Sequence, residues 1–411
     1  MRAVACLTNF WHWSGGMAQY VNWNGGGSIP YPPPEPGGDW NIFQDYASDF
    51  YSNAEATEDL RDHIAFLIGR LNPYTGLLYR DDPTIMAWEL ANEPRGFHNN
   101  AAAFNTWLDD TAACIKSLDP NHLVTTGCEG DTPWPSWNGL DFTDNHDGPD
   151  IDYTTIHIWP QNWEWFDPSA PEATFPSALA AAEDYLSAHL GEAGLLDKPL
   201  VLEEFGLARD NGSYDPTASV VWRDSLLSAL YGLIETSAEG GGPACGDNVW
   251  AWAGEGRPSA PFGGYWSPGE QWVGDPPHEH QGWYSIYDTD STTLSILAVH
   301  ADQMSCIALG TSVGGDELPS NVRQGSLTVF PSPSIGPATV VADFPHQNPR
   351  RRIDIVDVRG RVLWSCEAAA RHVTVSWPGR GGRVPSGIYF VVVGAEVPPL
   401  TAKIVYIRST R

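Results

Sequence analysis

Basic side chains are scarce in this sequence: its 411 residues carry 22 Lys and Arg against 51 Asp and Glu, a formal charge of −29. A body so acidic repels phosphate, so neither nucleic acid nor anionic lipid is expected as a partner. Long apolar runs are missing too, and no stretch approaches the roughly 20 residues that a membrane-spanning helix needs. The few cysteines (Cys6, Cys114, Cys128, Cys245, Cys306, Cys366) are scattered without a CxxC pair. That spacing argues against a zinc site or a dense disulfide frame, and Cys114 with Cys128 is the one pair worth testing. No Gly-rich phosphate loop and no Ser-His-Asp signature occurs. The opening MRAVACLTNFWHWSGG has too short an apolar run for a signal peptide. It reads as an interior strand, Ala3–Leu7, that begins at once, so the natural polypeptide is expected to extend further at its front.

The shortage of cations is uneven. Residues 1–312 hold 10 basic and 44 acidic side chains, whereas residues 313–411 hold 12 and 7. The change of sign predicts two separately built domains, 1–312 and 327–411, joined by a Gly/Ser/Pro/Asn-bearing linker over 313–326. In the second domain LTVFPSPS, RIDIVDVRGRVLW, HVTVSW, GIYFVVVG and AKIVYIR read as short strands with turns between them, an all-β Ig-like sandwich.

In the first domain strand-like runs at Ala3–Leu7, Ile85–Leu90, Leu123–Thr126, Tyr153–Ile158, Leu200–Glu204 and Asn248–Trp252 alternate with helical patterns. The helices are expected at Ala56–Leu71, Ala101–Leu118, Ser177–Ala193 and Ala218–Ser237. Such alternation predicts an α/β fold with a parallel sheet and crossover helices. Six strand–helix units are present, whereas a complete (β/α)8 barrel has eight. Two long insertions, WNGGGSIPYPPPEPGGDW and GRPSAPFGGYWSPGEQWVGDPPHEHQGWYSIYD, are rich in Gly, Pro and aromatics, and loops of that length are usually functional. Of the 19 tryptophans, 17 precede residue 313. A flat rigid ring suits the apolar face of a sugar, although most of these rings are expected in the core and a handful in a cleft.

The stretch DPTIMAWELANEPRG places Glu93 where a buried strand opens into a loop, with Pro94 ending regular pairing. On the local pattern Glu93 is either a catalyst at the strand mouth or a strand-end acid held by a cation such as Arg95. In KPLVLEEFGLARD, Glu203 and Glu204 end another buried strand, and one of them must face a polar cleft to avoid the cost of burial. Two carboxyls from different strands are what glycoside hydrolysis uses: an acid for the leaving oxygen and a nucleophile for the anomeric carbon. In that scheme Glu93 is expected raised in pKa as acid and base, and Glu204 kept ionised as nucleophile. His278-Glu279-His280 lacks a third metal ligand. Asp144, Asp147, Asp150 and Asp152 lack the glutamate that would complete a calcium loop, so no metal is expected, and the mechanism calls for no cofactor.

DPTIMAWELANEPRG, DPNHLVTTGCEG, DYTTIHIWPQNW and KPLVLEEFG, in that order, resemble glycoside hydrolase family 5. NFWHWSGGMAQYVNW and GDPPHEHQGWYSIYD narrow the likeness to its endo-β-1,4-mannanases, over about residues 4–300. The resemblance implies a (β/α)8 TIM barrel, here lacking its first two strands, and a retaining double displacement on mannan, glucomannan or galactomannan. It implies Glu93 as acid/base and Glu204 as nucleophile. Asn92, His157, Trp159 and Trp11 would contact substrate, as would Trp250 or Trp252, which strand alternation puts on one face. Two departures stand out. Trp159 occupies a position where many relatives carry tyrosine, and no segment supplies the arginine that the family places on its second strand beside the nucleophile. The same-class rival is an endo-β-1,4-glucanase; the rival of another class is a non-catalytic polysaccharide-binding barrel remnant. Residues 327–411 resemble a type IX secretion sorting domain, which implies an exported, secreted or cell-surface protein that meets the type IX machinery. A monomer is expected.

Overall fold

A computed structural model describes residues 2–311 apart from Asn99, together with the strands and a few flanking residues between 326 and 407. The chain divides into two compact units, Met1–Ser312 and Val313–Arg411. The segment read as a linker, 313–326, lies outside the described residues except for Ser326.

The first unit alternates strands and helices. Its parallel strands are β1 (Ala3–Cys6), β2 (Ile85–Glu89), β3 (Leu123–Thr125), β4 (Thr154–Ile158), β5 (Leu200–Phe205) and β6 (Ala244–Val249). Two short strands, β7 (Trp252–Gly254) and β8 (Ile286–Tyr287), pair with each other farther on. β1, β2 and β3 pair in sequence order, as do β4, β5 and β6. The two three-stranded sheets join where Asp152 N donates to Val124 O (2.8 Å) and His157 N donates to Glu129 O (3.0 Å). Order and direction are those of a (β/α)8 barrel, with six staves among the described residues. β1 and β6 each have one strand neighbour there.

The helices form for local reasons and dock by one face. In Ala54–Ile68 the Asn53 side chain accepts from Ala56 N (3.1 Å), satisfying a donor that the first turn leaves free. Its buried residues Ala56, Leu60, Ile64 and Ile68 recur every four positions, a stripe that packs on the β1–β3 core. Helix Ala101–Leu118 buries Phe104, Trp107, Leu108 and Ile115 in the same core. A second core gathers Ile156, Ile158, Leu200, Leu202 and Phe205 with helices Pro171–Leu196 and Val221–Glu239.

Three expectations are corrected. The last barrel strand starts at Ala244 rather than at the expected Asn248, because Gly246 and Asp247 continue the ladder with β5. It also stops at Val249, so Trp250 and Trp252 do not share one alternating strand. Cys114 and Cys128 form no disulfide; both are free, and Cys128 is buried as a small apolar side chain.

In the second unit β9 (Ser326–Phe330), β11 (Ala338–Asp343) and β14 (His372–Trp377) form one antiparallel sheet. β10 (Ser334–Ile335), β12 (Arg351–Asp357), β13 (Val362–Ala368), β15 (Gly387–Val393) and β16 (Leu400–Ile407) form another. Val340 and Trp377 of the first sheet share an apolar cluster with Ile353, Ile355, Tyr389 and Val391 of the second. No helix among the described residues is long and apolar enough to cross a membrane.

Candidate active site

The C-terminal ends of the parallel strands open into a cleft of about 1230 Å3. β2 ends at Glu89, and four residues on Glu93 adopts a left-handed backbone, φ 50°. That conformation is costly for a residue with a Cβ, by about 1–3 kcal/mol, and it departs from the extended backbone favoured before a proline. Three backbone hydrogen bonds hold the loop there: Glu93 N to Gly127 O (3.0 Å), Asn92 N to Thr8 O (3.0 Å) and Phe10 N to Asn92 O (3.0 Å). The carboxylate is thereby aimed across the barrel. Trp11 Nε1 donates to Glu93 Oε2 (2.6 Å) and His157 Nδ1 donates to Glu93 Oε1 (2.8 Å).

β5 delivers Glu204 opposite. His157 Nδ1 faces its Oε2 at 3.5 Å. One atom each from Glu93, His157 and Glu204 lie within 4.8 Å of one another. Such spacing also suits a metal ion, but the shared nitrogen donates to Glu93 and a protonated ring offers no lone pair. A second cluster of this kind, Asp131, His189 and Glu192, has both imidazole nitrogens engaged: Nε2 accepts from Asp131 N (2.9 Å) and Nδ1 donates to Tyr185 O (2.8 Å).

The two carboxyls are not equivalent, and their protonation reverses the expectation from sequence. Burial alone would raise Glu93, but the hydrogen bond and charge of His157, the Arg95 guanidinium and the Trp11 N–H hold it below the usual carboxylate range. Burial pushes Glu204 up to about 8; the charge of His157 opposes this, and Glu93, Glu203 and Glu129 reinforce it. Burial would also discharge His157, yet the Glu204 charge and the hydrogen bond to Glu93, followed by the charges of Glu93 and Glu203, push it up to about 10. Donors, not the motif, decide which acid carries the charge.

Asn92 lines the cleft, its Nδ2 at 3.4 Å from Asn9 Oδ1. Trp159 is buried at the wall, tilted on Tyr284 (4.8 Å) and edge-on to Trp250 (6.2 Å). Trp250 lines the cleft, whereas Trp252 is 61% exposed and outside it, so the choice that alternation left open falls to Trp250. Sequence reasoning missed several partners. Arg95, the cation suspected of holding Glu93, grips Glu129 with two bonds (2.6 and 2.8 Å), donates to Gln44 (2.9 Å) and stacks on the Trp11 ring. Glu129 was visible in the GCEG motif, but its partner lies 34 residues away. Trp13, Trp40, Trp134, Trp137, Trp163 and Trp272 also line the cleft, more than the handful expected, because the segments after β1, β3 and β4 carry rings in as well as the two long insertions. His278 stacks on Trp13 and His280 bonds Gly263 O, so the two histidines do not converge. Asp152 is taken up by Lys116 (2.5 Å) and Val124 N (2.7 Å) rather than by a cation loop.

Residues 1–308 match the family described as GH family 5 beta-mannosidase-like. A solved family 5 mannosidase from Rhizomucor miehei is 35% identical, with a TM-score of 0.66, over 75% of this chain and 73% of its own. The endo-1,4-beta-D-mannanase of Thermotoga petrophila is 26% identical with a TM-score of 0.53, over 75% of each chain. Mannan endo-1,4-beta-mannosidase 7 of Arabidopsis thaliana is 32% identical over 262 residues, 61% of this chain and 56% of its own length. The chain thus spans little more than half the length of that curated relative.

Proposed function

This chain belongs to the β-mannosidase-like group of glycoside hydrolase family 5, and on that premise we propose an endo-acting, retaining glycosidase that cleaves β-1,4-mannosidic bonds in mannan, glucomannan or galactomannan. The observation that carries this is the approach of Glu93 and Glu204, whose nearest oxygens belong to a set within 4.8 Å. Retaining enzymes hold their carboxyls about 5–5.5 Å apart, and inverting ones about 6.5–9.5 Å. In the first step Glu93 protonates the glycosidic oxygen while Glu204 attacks the anomeric carbon, giving a covalent glycosyl-enzyme and a free chain end. Glu93 then takes a proton from water, which attacks the same carbon and releases Glu204.

This chemistry needs the proton on Glu93 and the charge on Glu204, the opposite of the resting preference. His157 Nδ1 lies between them, 2.8 Å from one and 3.5 Å from the other. Moving its N–H from Glu93 to Glu204 frees the first carboxyl to hold a proton and stabilises the second as an anion. Asn92, Trp11, Trp159 and Trp250 line the space in which the reacting sugar would lie. The cleft volume exceeds the ~300–1,000 Å3 of ordinary small-molecule sites, which suits several sugars of one chain.

The test is hydrolysis of mannohexaose followed by NMR of the nascent ends. The expected result is mixed shorter oligosaccharides with the β-anomer appearing first. A second reading, exo-acting β-mannosidase, is favoured by the greater likeness to the Rhizomucor miehei mannosidase, and release of mannose alone would establish it. Cleavage of cellulose but not mannan would leave the endoglucanase alternative. Sugar binding without hydrolysis would leave the binding-remnant one.

The second unit, with its reversed charge balance and two packed sheets, is proposed as an Ig-like type IX sorting domain of a secreted or cell-surface monomer. Export of a reporter carrying residues 313–411, with loss of that segment on arrival, tests it.

A further inference from the structure

The loop that carries Glu93 is fastened to a short turn after β3. Phe97 N donates to Asn138 O (2.8 Å), and His98 N donates to Trp137 O (3.1 Å). Gly96 and Gly139 make the approach possible: a Cβ on Gly96 would lie 2.8 Å from Gly139 O, and one on Gly139 would lie 2.8 Å from Gly96 C. Gly139 also has φ +64°, ending the single helical turn Pro135–Asn138. That turn sets Trp134 and Trp137 three residues apart, with Trp137 N donating to Trp134 O (3.1 Å). Both rings line the cleft, yet they are 50% and 51% exposed. Trp137 is braced edge-on by His98 (4.2 Å) and Phe97 (5.9 Å). Trp137 is thus fastened to the loop that carries Glu93 by backbone and ring contacts, Trp134 follows it through the shared turn, and both keep open surface toward the cleft.

We propose that Trp134 and Trp137 form the platform for the departing part of the polysaccharide, the sugars on the reducing-end side of the bond being cut. This rests on the glycosidase reading above. The acid/base must touch the glycosidic oxygen, so the leaving chain starts at Glu93. Glu204 must lie beneath the attacked sugar, and the aromatic wall on its side is Trp159, Trp250 and Tyr284. The cleft lining on the Glu93 side runs on through Arg95 and Asn138 and includes Trp134 and Trp137. Sugars present apolar C–H faces, and a braced indole loses little conformational freedom on stacking. The platform therefore fixes the polarity of the chain in the cleft and favours polymeric over short substrates.

The experiment uses the full chain and its Trp134→Ala/Trp137→Ala and Trp134→Phe/Trp137→Phe variants, on mannohexaose and on a nitrophenyl β-mannobioside. The aryl substrate has no sugar beyond the bond that is cut. For the Ala variant kcat/KM on mannohexaose should fall about tenfold, mainly through KM, and stay within about twofold on the aryl substrate. The Phe variant should recover most of the loss. Transfer of mannosyl groups to added mannotriose should fall in step with the hexaose activity. Equal losses on both substrates, or none on either, overturn the platform while the glycosidase reading stands. A parent chain that cleaves neither substrate overturns both. Should the Ala variant not fold, the Phe variant and each single substitution carry the same comparison.

Discussion

Glu93 and Glu204 reach one cleft from different three-stranded sheets and meet unequal surroundings. On the β1–β3 side Glu93 receives two N–H donors and lies near Arg95. On the β4–β6 side Glu204 faces His157 at 3.5 Å and has Glu203 as its chain neighbour, itself buried and raised well above the usual range, first by burial and then by Glu89. The contrast extends to two imidazoles. His157 offers one nitrogen to two carboxyls, an arrangement in which a small movement changes partners. His300 gives one nitrogen to Glu235 (2.8 Å) and the other to Asp247 (2.7 Å), an arrangement that can only hold. The same side chains make a switch or a clamp according to how many nitrogens they engage.

The largest effects should come from the two acids themselves. Glu204→Gln should lower kcat about 10³-fold or more on mannohexaose and on a nitrophenyl mannoside alike. Glu93→Gln should match that loss on mannohexaose but lose far less in the first step on the aryl substrate, whose leaving group needs no proton. Equal losses on the aryl substrate would break the assignment of roles. Next, Arg223→Met should cost about 3–5 kcal/mol of stability by leaving a buried ion cluster incomplete. Its guanidinium donates to Asp290 (2.8 Å) alongside Arg209 (2.7 Å), away from the cleft. Thermal unfolding should show that loss while kcat at low temperature is kept.

The pH dependence sharpens the comparison further. Since the pair must hold one proton, carried by Glu93 when the bond breaks, kcat/KM should rise as the more acidic carboxyl ionises below 4.5 and fall as pH climbs through about 8, where the last proton is lost. His157→Gln removes the cation, so this fall should move to higher pH and the maximum drop by about 10²-fold. Stability responds to pH through the same three groups. Glu204, raised from 4.5 to about 8, stays protonated in the fold when the unfolded chain has ionised, so stability falls as pH rises across that window. His157, raised from 6.5 to about 10, contributes fully below 6.5 and is lost toward 10. Glu93, lowered from 4.5, contributes above that value and is lost on acidification. The melting temperature should therefore be highest near pH 4.5 and decline toward 9, more steeply above 6.5; a steady rise to pH 9 would refute this charge arrangement. The smallest effect belongs to His300→Gln, which should cost about 2 kcal/mol in unfolding with the pH–rate profile unmoved.

Much of the fold was legible in the pattern of residues. Helix Ala101–Leu118 fell where its apolar period placed it, and five of the parallel strands lay within a residue or two of expectation. The sixth was not, because Gly246 and Asp247 look like loop residues and are held in the ladder only by β5. The cost of a buried strand-end charge drew attention to Glu93, Glu203 and Glu204, and the resemblance of Asn-Glu-Pro and Glu-Phe-Gly to the family singled out Glu93 and Glu204. Trp250 could not be told from Trp252, because the strand break between them leaves no compositional mark.

By itself, then, the sequence determined the alternation of strands and helices, the two strand-end acids and the change of charge at residue 313, because periodicity, burial cost and composition are local properties. Only the tertiary structure decided which acid carries the charge, that Arg95 belongs to Glu129, and that Trp134 and Trp137 stand beside the loop that carries Glu93. Those outcomes depend on distances between residues tens of positions apart, and electrostatics and close packing act through space, not along the chain.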